Sequence, residues 1–160
     1  MIKIMLICVG KLKEKFFLDA AEEYIKRLSR FCALSMVEIE PAKLPSEPSD
    51  AEINKALETE GDKILRKIPD GAFVSSLCIE GSQKDSVTLS ADINSRANFG
   101  FGTQVFIIGG SYGLCDAVKA RSNENLSMSK MTFPHKLARI MLLEQIYRAF
   151  MISDGGTYHK

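Results

Sequence analysis

Val105-Phe-Ile-Ile-Gly-Gly-Ser-Tyr-Gly-Leu114 decides the fold. An unbroken apolar run that stops on a glycine pair has the length and composition of a strand buried on both faces, because a half-buried strand would alternate with polar residues. Strands of this kind belong to parallel sheets covered by helices on both sides, and in such sheets ligands bind beyond the carboxyl ends of the strands. The glycine spacing is not GxGxxG and no GxxxxGK[ST] occurs in the chain, which disfavours a Rossmann dinucleotide site and a P-loop.

Outward from this block, short β-rich runs alternate with helical patterns. Ile2–Val9 is a continuous apolar run closed by Gly10 and reads as a strand. Residues 14–30 carry Phe17, Ala21, Tyr24, Leu28 and then Phe31 at helical spacing, and Leu34–Glu40 reads as a second strand before the loop Pro41–Pro48. Ser49 and Glu52 have capping-box spacing, and Ile53, Leu57, Ile64, Leu65 and Ile68 continue a helix that closes at Pro69-Asp70-Gly71. Phe73–Ile79 predicts a third strand, Ser86 to Asn98 a helix with Leu89 and Ile93 inward, Cys115–Ser122 a short helix, and Leu126–Ser129 a short strand. Pro134 opens the last helix, which runs to Ser153 and spans roughly 28 Å. Its residues Leu137, Ile140, Met141, Leu143, Ile146, Tyr147 and Phe150 form a stripe wide enough to predict burial by a second subunit as well as by the core. The expected fold is α/β, a mostly parallel sheet with helices on both faces. Three loops lie where ligands would bind: Ile79–Asp85, Gly109–Leu114 and Ser129–His135.

A chain of 160 residues makes one domain, 1–160, with 46% hydrophobic and 26% charged residues. That balance and a mean hydropathy of -0.01 exclude disordered and fibrous classes. No run is long enough to cross a bilayer, and the N-terminal run, broken by Lys3, is too short for a signal peptide, so a cytoplasmic protein is expected. Cys8, Cys32, Cys78 and Cys115 form no CxxC pair, and only His135 and His159 could join them, so reduced and mostly buried thiols are expected, with no metal. Residues 1–30 carry a net +3, residues 31–110 a net -5 and residues 111–160 a net +3. A basic surface where the ends meet would suit an anionic partner, although ordinary surface variation explains the split as well.

The residues that can carry chemistry each have a plain structural alternative. The glycine loop can admit a ligand to backbone N–H groups, or simply satisfy a turn that needs positive φ. Ser129-Lys130-Met131-Thr132-Phe133-Pro134-His135 is a binding loop or a helix entry with His135 exposed. Glu144 and Arg148 have the spacing of a surface ion pair. The ending Gly155-Gly156-Thr157-Tyr158-His159-Lys160 is either a frayed terminus or a reach of glycine carrying a stacking ring, an imidazole and an ammonium.

Taken together, five blocks resemble the large-subunit ribosomal RNA methyltransferase H family of the SPOUT superfamily: Ile4–Lys15, Val105–Leu114, Leu126–His135, Leu143–Phe150 and Tyr158–Lys160. Ordered blocks covering the whole chain are more specific than any one of them. The resemblance implies a C-terminal trefoil knot, a homodimer with its site at the interface, and S-adenosyl-L-methionine as methyl donor. It implies N3-methylation of a pseudouridine in a stem-loop of bacterial 23S ribosomal RNA, carried out on the ribosome. By position it implies cofactor contacts from Leu77, Gly109 and the loop Met128, Ser129, Lys130, Met131, Thr132 and Phe133.

The target nitrogen bears an imide proton, and His135, Arg148, Tyr158 and His159 are the candidate catalytic residues, as base or as positive charge. Lys160 stands where the family ends in Arg, which gives up a bidentate phosphate contact and keeps the charge. Two rival readings are a non-enzymatic ribosome-binding factor with a degenerate pocket and a methyltransferase for another RNA, such as transfer RNA.

Overall fold

The computed structural model describes residues 1–160 as β1 (Ile2–Val9), α1 (Lys15–Leu28), β2 (Cys32–Ile39), α2 (Asp50–Leu65), β3 (Phe73–Gln83), α3 (Ser86–Asn98), β4 (Thr103–Ile108), α4 (Asp116–Arg121), β5 (Glu124–Ser127) and α5 (His135–Ser153). The strands form one sheet of order β2-β1-β4-β3-β5, and every pairing is parallel. Strands β1 and β4 are central, and their unbroken apolar runs follow from burial on both faces. Ile4, Leu6 and Cys8 with Phe106 and Ile108 join the larger core, which contains Leu28 of α1, Leu89 and Ile93 of α3, and Leu142, Leu143 and Ile146 of α5. The alternate residues Ile7, Val9, Val105 and Ile107 meet Ile64 of α2 and Val118 of α4 in a second core on the opposite face.

The predicted capping box is present: Ser49 Oγ accepts from Glu52 N at 3.2 Å while Ser49 N donates to Glu52 Oε1 at 3.1 Å. Boundaries shift elsewhere. Helix α2 stops at Leu65, so Ile68 packs against the second core from the turn beyond it. Pro134 is the residue before α5, with φ -54 and ψ 136, rather than its first helical residue. Strand β5 begins at Glu124, two residues before the expected start, because Glu124 and Asn125 pair with Ser75 and Ser76.

The main departure is β3, which continues past Ile79 to Gln83, through residues whose sequence predicts a loop. Its pairing with β5 slips between Leu77 and Ser82, both of which oppose Leu126. Gly81 lies inside this irregularity, and a Cβ there would come within 2.5 Å of Asn125 O, so only glycine allows the approach. Of the four free thiols, Cys8 and Cys32 are buried, with pKa values pushed up to about 11 chiefly by burial, whereas Cys78 and Cys115 are half-buried. No helix is long and apolar enough to cross a membrane.

An ion cluster fastens the short strand β5. Glu124 accepts from Ser75 Oγ and Arg96 Nη2, each at 2.6 Å, and pairs with Lys84, which also reaches Asp92 at 2.5 Å. The Arg96 guanidinium in turn lies 4.0 Å from the Phe73 ring centroid. Burial alone would raise the Glu124 pKa, but the hydrogen bonds from Lys84 and Ser75 and the charges of Arg96 and Lys84 outweigh it and hold the carboxyl below its ordinary value. A depressed carboxyl pKa stabilises the fold above the unfolded value and loses that contribution as the pH falls through the folded one. Glu124→Gln should therefore cost about 1–3 kcal/mol at pH 7 by urea unfolding. The difference from wild type should shrink as the pH is lowered below about 4.

Candidate active site

A cleft of about 840 Å³ opens at the carboxyl ends of β3, β4 and β5. Leu77, Gly109, Met128, Ser129, Met131, Thr132, Phe133 and His135 all line it, so most of the residues singled out from sequence are brought together. Lys130 is the exception among the loop residues: it is exposed and does not line the cleft, which leaves its ammonium hydrated. Ile79 and Glu80, from the stretch Ile79–Asp85 expected to border a ligand, also line the cleft, whereas sequence reasoning missed Cys78, on β3, and Lys119, which pairs with Glu80 at 2.5 Å. The Gly81 bulge was the signal available for the extension of β3 that carries Glu80.

Two loops shape the cleft. Gly110 and Gly113 form an antiparallel bridge, with Gly113 N donating to Gly110 O at 3.1 Å. Gly113 has φ +84, so positive φ explains that glycine. Gly109 is explained by space, since a Cβ on it would lie 2.4 Å from Gly113 O. In the other loop Ser127 Oγ donates to Ser129 O at 2.9 Å, and Ser129 Oγ accepts from Met131 N at 3.0 Å. These bonds fix a turn that leaves Met131 with 74% of its surface exposed beside the cleft.

His135, the first residue of α5, is half-buried at the edge of the cleft. Burial lowers its pKa, and the positive charges of Lys136 and Arg139 lower it further, so the imidazole is neutral at pH 7 and able to accept a proton. Its position is set by neighbours on the same helix. Arg139, 2% exposed, donates from Nη1 to Glu38 Oε2 at 2.8 Å and from Nη2 to Gly10 O at 2.9 Å. Lys136 Nζ pairs with Glu14 at 2.9 Å. The entry to α5 is thereby tied to the end of β2, to the turn after β1 and to the residue before α1.

The other three candidate catalytic residues form a separate cluster. Arg148 lies about 20 Å along α5 from His135, and neither it nor Tyr158 nor His159 lines the cleft of the same chain. Arg148 bonds Glu144 at 2.5 Å, Tyr158 Oη donates to Glu144 Oε1 at 3.1 Å, and His159 Nδ1 lies 3.3 Å from Arg148 Nη1. The Tyr158 ring meets Tyr147 edge-on at a centroid distance of 4.9 Å. Burial and then the Glu144 charge push the Tyr158 pKa up to about 12, so the phenol remains a donor at neutral pH. The tail is packed onto α5 rather than frayed.

Helix α5 also has less spare apolar surface than its sequence suggests, because Leu143, Ile146 and Phe150 are consumed by the chain's own core. Ile140 and Tyr147 are partly buried against the same core, which leaves Leu137, exposed, and Met141, half-buried, as the apolar residues outside it. Because Gly109 is held against Gly113 O, Gly109→Ala tests the loop before it tests any ligand. It should lower stability by roughly 1–3 kcal/mol in thermal unfolding.

The family described as "Predicted SPOUT methyltransferase" matches residues 2–159. A protein of Streptococcus sanguinis (strain SK36) named ribosomal RNA large subunit methyltransferase H is 50% identical over 158 residues, 99% of each chain. Proteins of the same name from Lactobacillus acidophilus and Listeria monocytogenes are each 46% identical over 157 residues, covering 98% of this chain and 99% of theirs. Among solved structures, a probable methylase family protein from Haemophilus influenzae Rd KW20 is similar with a TM-score of 0.53 at 12% identity, over 99% of this chain and 70% of that one, a likeness of fold alone. A parallel sheet with its cleft at the carboxyl strand ends and a match from residue 2 to residue 159 lead to one conclusion: the chain belongs to the SPOUT methyltransferase family.

Proposed function

We propose that the protein methylates N3 of a pseudouridine in a stem-loop of bacterial 23S ribosomal RNA, using S-adenosyl-L-methionine and acting on the ribosome as a cytoplasmic homodimer of chain 1–160. The observation that carries this reading is the cleft with a neutral histidine at its edge, in a chain whose full-length relatives are named ribosomal RNA large subunit methyltransferase H. The cleft fits the cofactor in kind. Its volume is that of a small-molecule site, Leu77, Met131 and Phe133 offer apolar cover for an adenosyl group, and two loops rich in backbone amides offer polar contacts.

S-adenosyl-L-methionine supplies an electrophilic methyl group whose bond to sulfur breaks as the bond to nitrogen forms. The chain's own work is positioning and proton removal. His135 accepts the imide proton, and the cationic Arg148 with the hydroxyl of Tyr158 and the ring of His159 engages the RNA. Since these three lie far from the cleft of their own chain, the reading places the tail of one protomer at the cleft of its partner. The apolar surface of Leu137, with the partly buried Ile140 and Met141 beside it on α5, supports such a dimer.

Calorimetry should show S-adenosyl-L-methionine binding, and radiolabelled methyl should pass to ribosomes and not to transfer RNA. Absence of cofactor binding would favour a non-enzymatic ribosome-binding factor, and transfer RNA labelling would favour the other substrate. With a lowered His135 pKa the base stays available through neutrality, so the rate should fall only below the ordinary histidine value of about 6.5. His135→Asn should remove that acidic limb while reducing the rate.

Deleting Tyr158–Lys160 should cost about 1 kcal/mol of stability, from the lost ring contact with Tyr147. It should leave cofactor affinity unchanged and lower methyl transfer by orders of magnitude, and a wild-type rate would free the tail of any role in the reaction.

A further inference from the structure

A second cavity of about 160 Å³ adjoins the cleft, and the two share Gly110, Ser111, Tyr112 and His135 in their linings. The rest of the smaller cavity comes from β1, the loop before α2 and α2 itself, through Val9, Leu44, Ile53 and Glu60 among others. It is of the size of one pyrimidine ring. No lysine or arginine lines it, so it is built for an uncharged group and not for a phosphate. Glu60 is its unusual member: a carboxylate 8% exposed within otherwise largely apolar walls. Glu60 Oε2 accepts from Ala42 N at 2.9 Å, while Oε1 receives no hydrogen bond from the protein.

We propose that this cavity receives the unpaired target base and that Glu60 accepts a hydrogen bond from its N1–H, selecting pseudouridine over uridine. This assignment rests on the function proposed above. Methyl donor and acceptor must approach to roughly 3–3.5 Å, so the base has to lie against the cofactor cleft, and this cavity has a wall in common with it. Pseudouridine is joined to its sugar through C5, which leaves N1–H and N3–H on either side of the ring's C2 carbonyl. With the sugar at the mouth, N3 faces the shared wall and His135, and N1–H faces α2 and Glu60. Uridine is attached through N1 and presents a C–H where pseudouridine presents N1–H, so its ring would shut water away from Glu60 Oε1 without giving it a partner, and a polar group left unpaired in this way is a strong source of discrimination.

The test uses ribosomes that carry either pseudouridine or uridine at the target position, from cells lacking this protein. Wild-type protein should prefer pseudouridine. In Glu60→Gln, with the amide oxygen kept on Ala42 N–H, an NH2 donor replaces Oε1 and faces the donor N1–H of the base, and the preference should fall by roughly 10- to 100-fold, through loss on the pseudouridine substrate. Ala42→Phe, at a half-buried position in the cavity wall, should abolish transfer to both substrates while S-adenosyl-L-methionine affinity by calorimetry and mass by sedimentation stay those of wild type.

Equal transfer to both ribosomes by wild type, or an unchanged preference in Glu60→Gln, would overturn the role of Glu60. A wild-type rate in Ala42→Phe would overturn the cavity assignment, as would loss of cofactor affinity or of the native assembly in that variant, which would mark a packing role. If wild type labels neither ribosome, the function proposed above fails and this assignment fails with it.

Discussion

The Arg139 guanidinium is the constraint on which the geometry of the cleft depends. A cation almost removed from water is costly, and it is tolerated here because Glu38 and the carbonyl of Gly10 meet two of its nitrogens. Nε is left without a partner, so the guanidinium is only partly satisfied. What this arrangement secures is direction. It pins the start of α5 to the carboxyl ends of β1 and β2, and the first residue of that helix is His135. The loop before it, Met128–Phe133, is thereby held between β5 and a fixed helix entry.

The remaining features distribute the work between apolar and ionic parts. Strands β1 and β4 are supported by two cores and need no polar help, whereas β5 is four residues long and lies at the sheet edge. A strand that short gains little from its own ladder, so Glu124, Arg96, Lys84 and Asp92 supply the attachment. The same edge carries the chain directly into the second cleft loop. Its position relative to the glycine loop is thus set by charges on α3 and on Lys84, just beyond β3, as well as by backbone pairing.

Most of the fold was legible in the sequence because most of it is periodic. Apolar runs gave β1 and β4, the Ser49–Glu52 pair gave the start of α2, and the glycine block gave the turn that carries the cleft. The extension of β3 was missed because its second half, Glu80–Gln83, has exposed and half-exposed residues with no alternation, and its pairing depends on a bulge that only Gly81 betrays. Glu80, the cleft residue on that extension, was expected near a ligand but on a loop rather than a strand. The docking of Tyr158 on Tyr147 was also beyond reach, since a contact between a tail and a helix face has no local signature. The same is true of Glu60, which reads as one more charge on an amphipathic helix until the loop Pro41–Pro48 is seen to close over it. Threading of a knot leaves no trace in periodicity at all, and only the resemblance of whole blocks supplies that expectation.

The bonds that orient α5 join residues very far apart in the chain: Arg139 to Gly10 across 129 positions, Lys136 to Glu14 across 122 and Arg139 to Glu38 across 101. Closing loops of that length incurs an entropic cost before any contact can repay it, so chains dominated by such pairs fold slowly. Each helix draws on its own neighbours, but the clamp that aims His135 requires both ends of the chain to have met. Until then an unpaired guanidinium and an open apolar groove remain exposed to water, and a collapsed chain with a complete set of secondary structure would still lack its cleft.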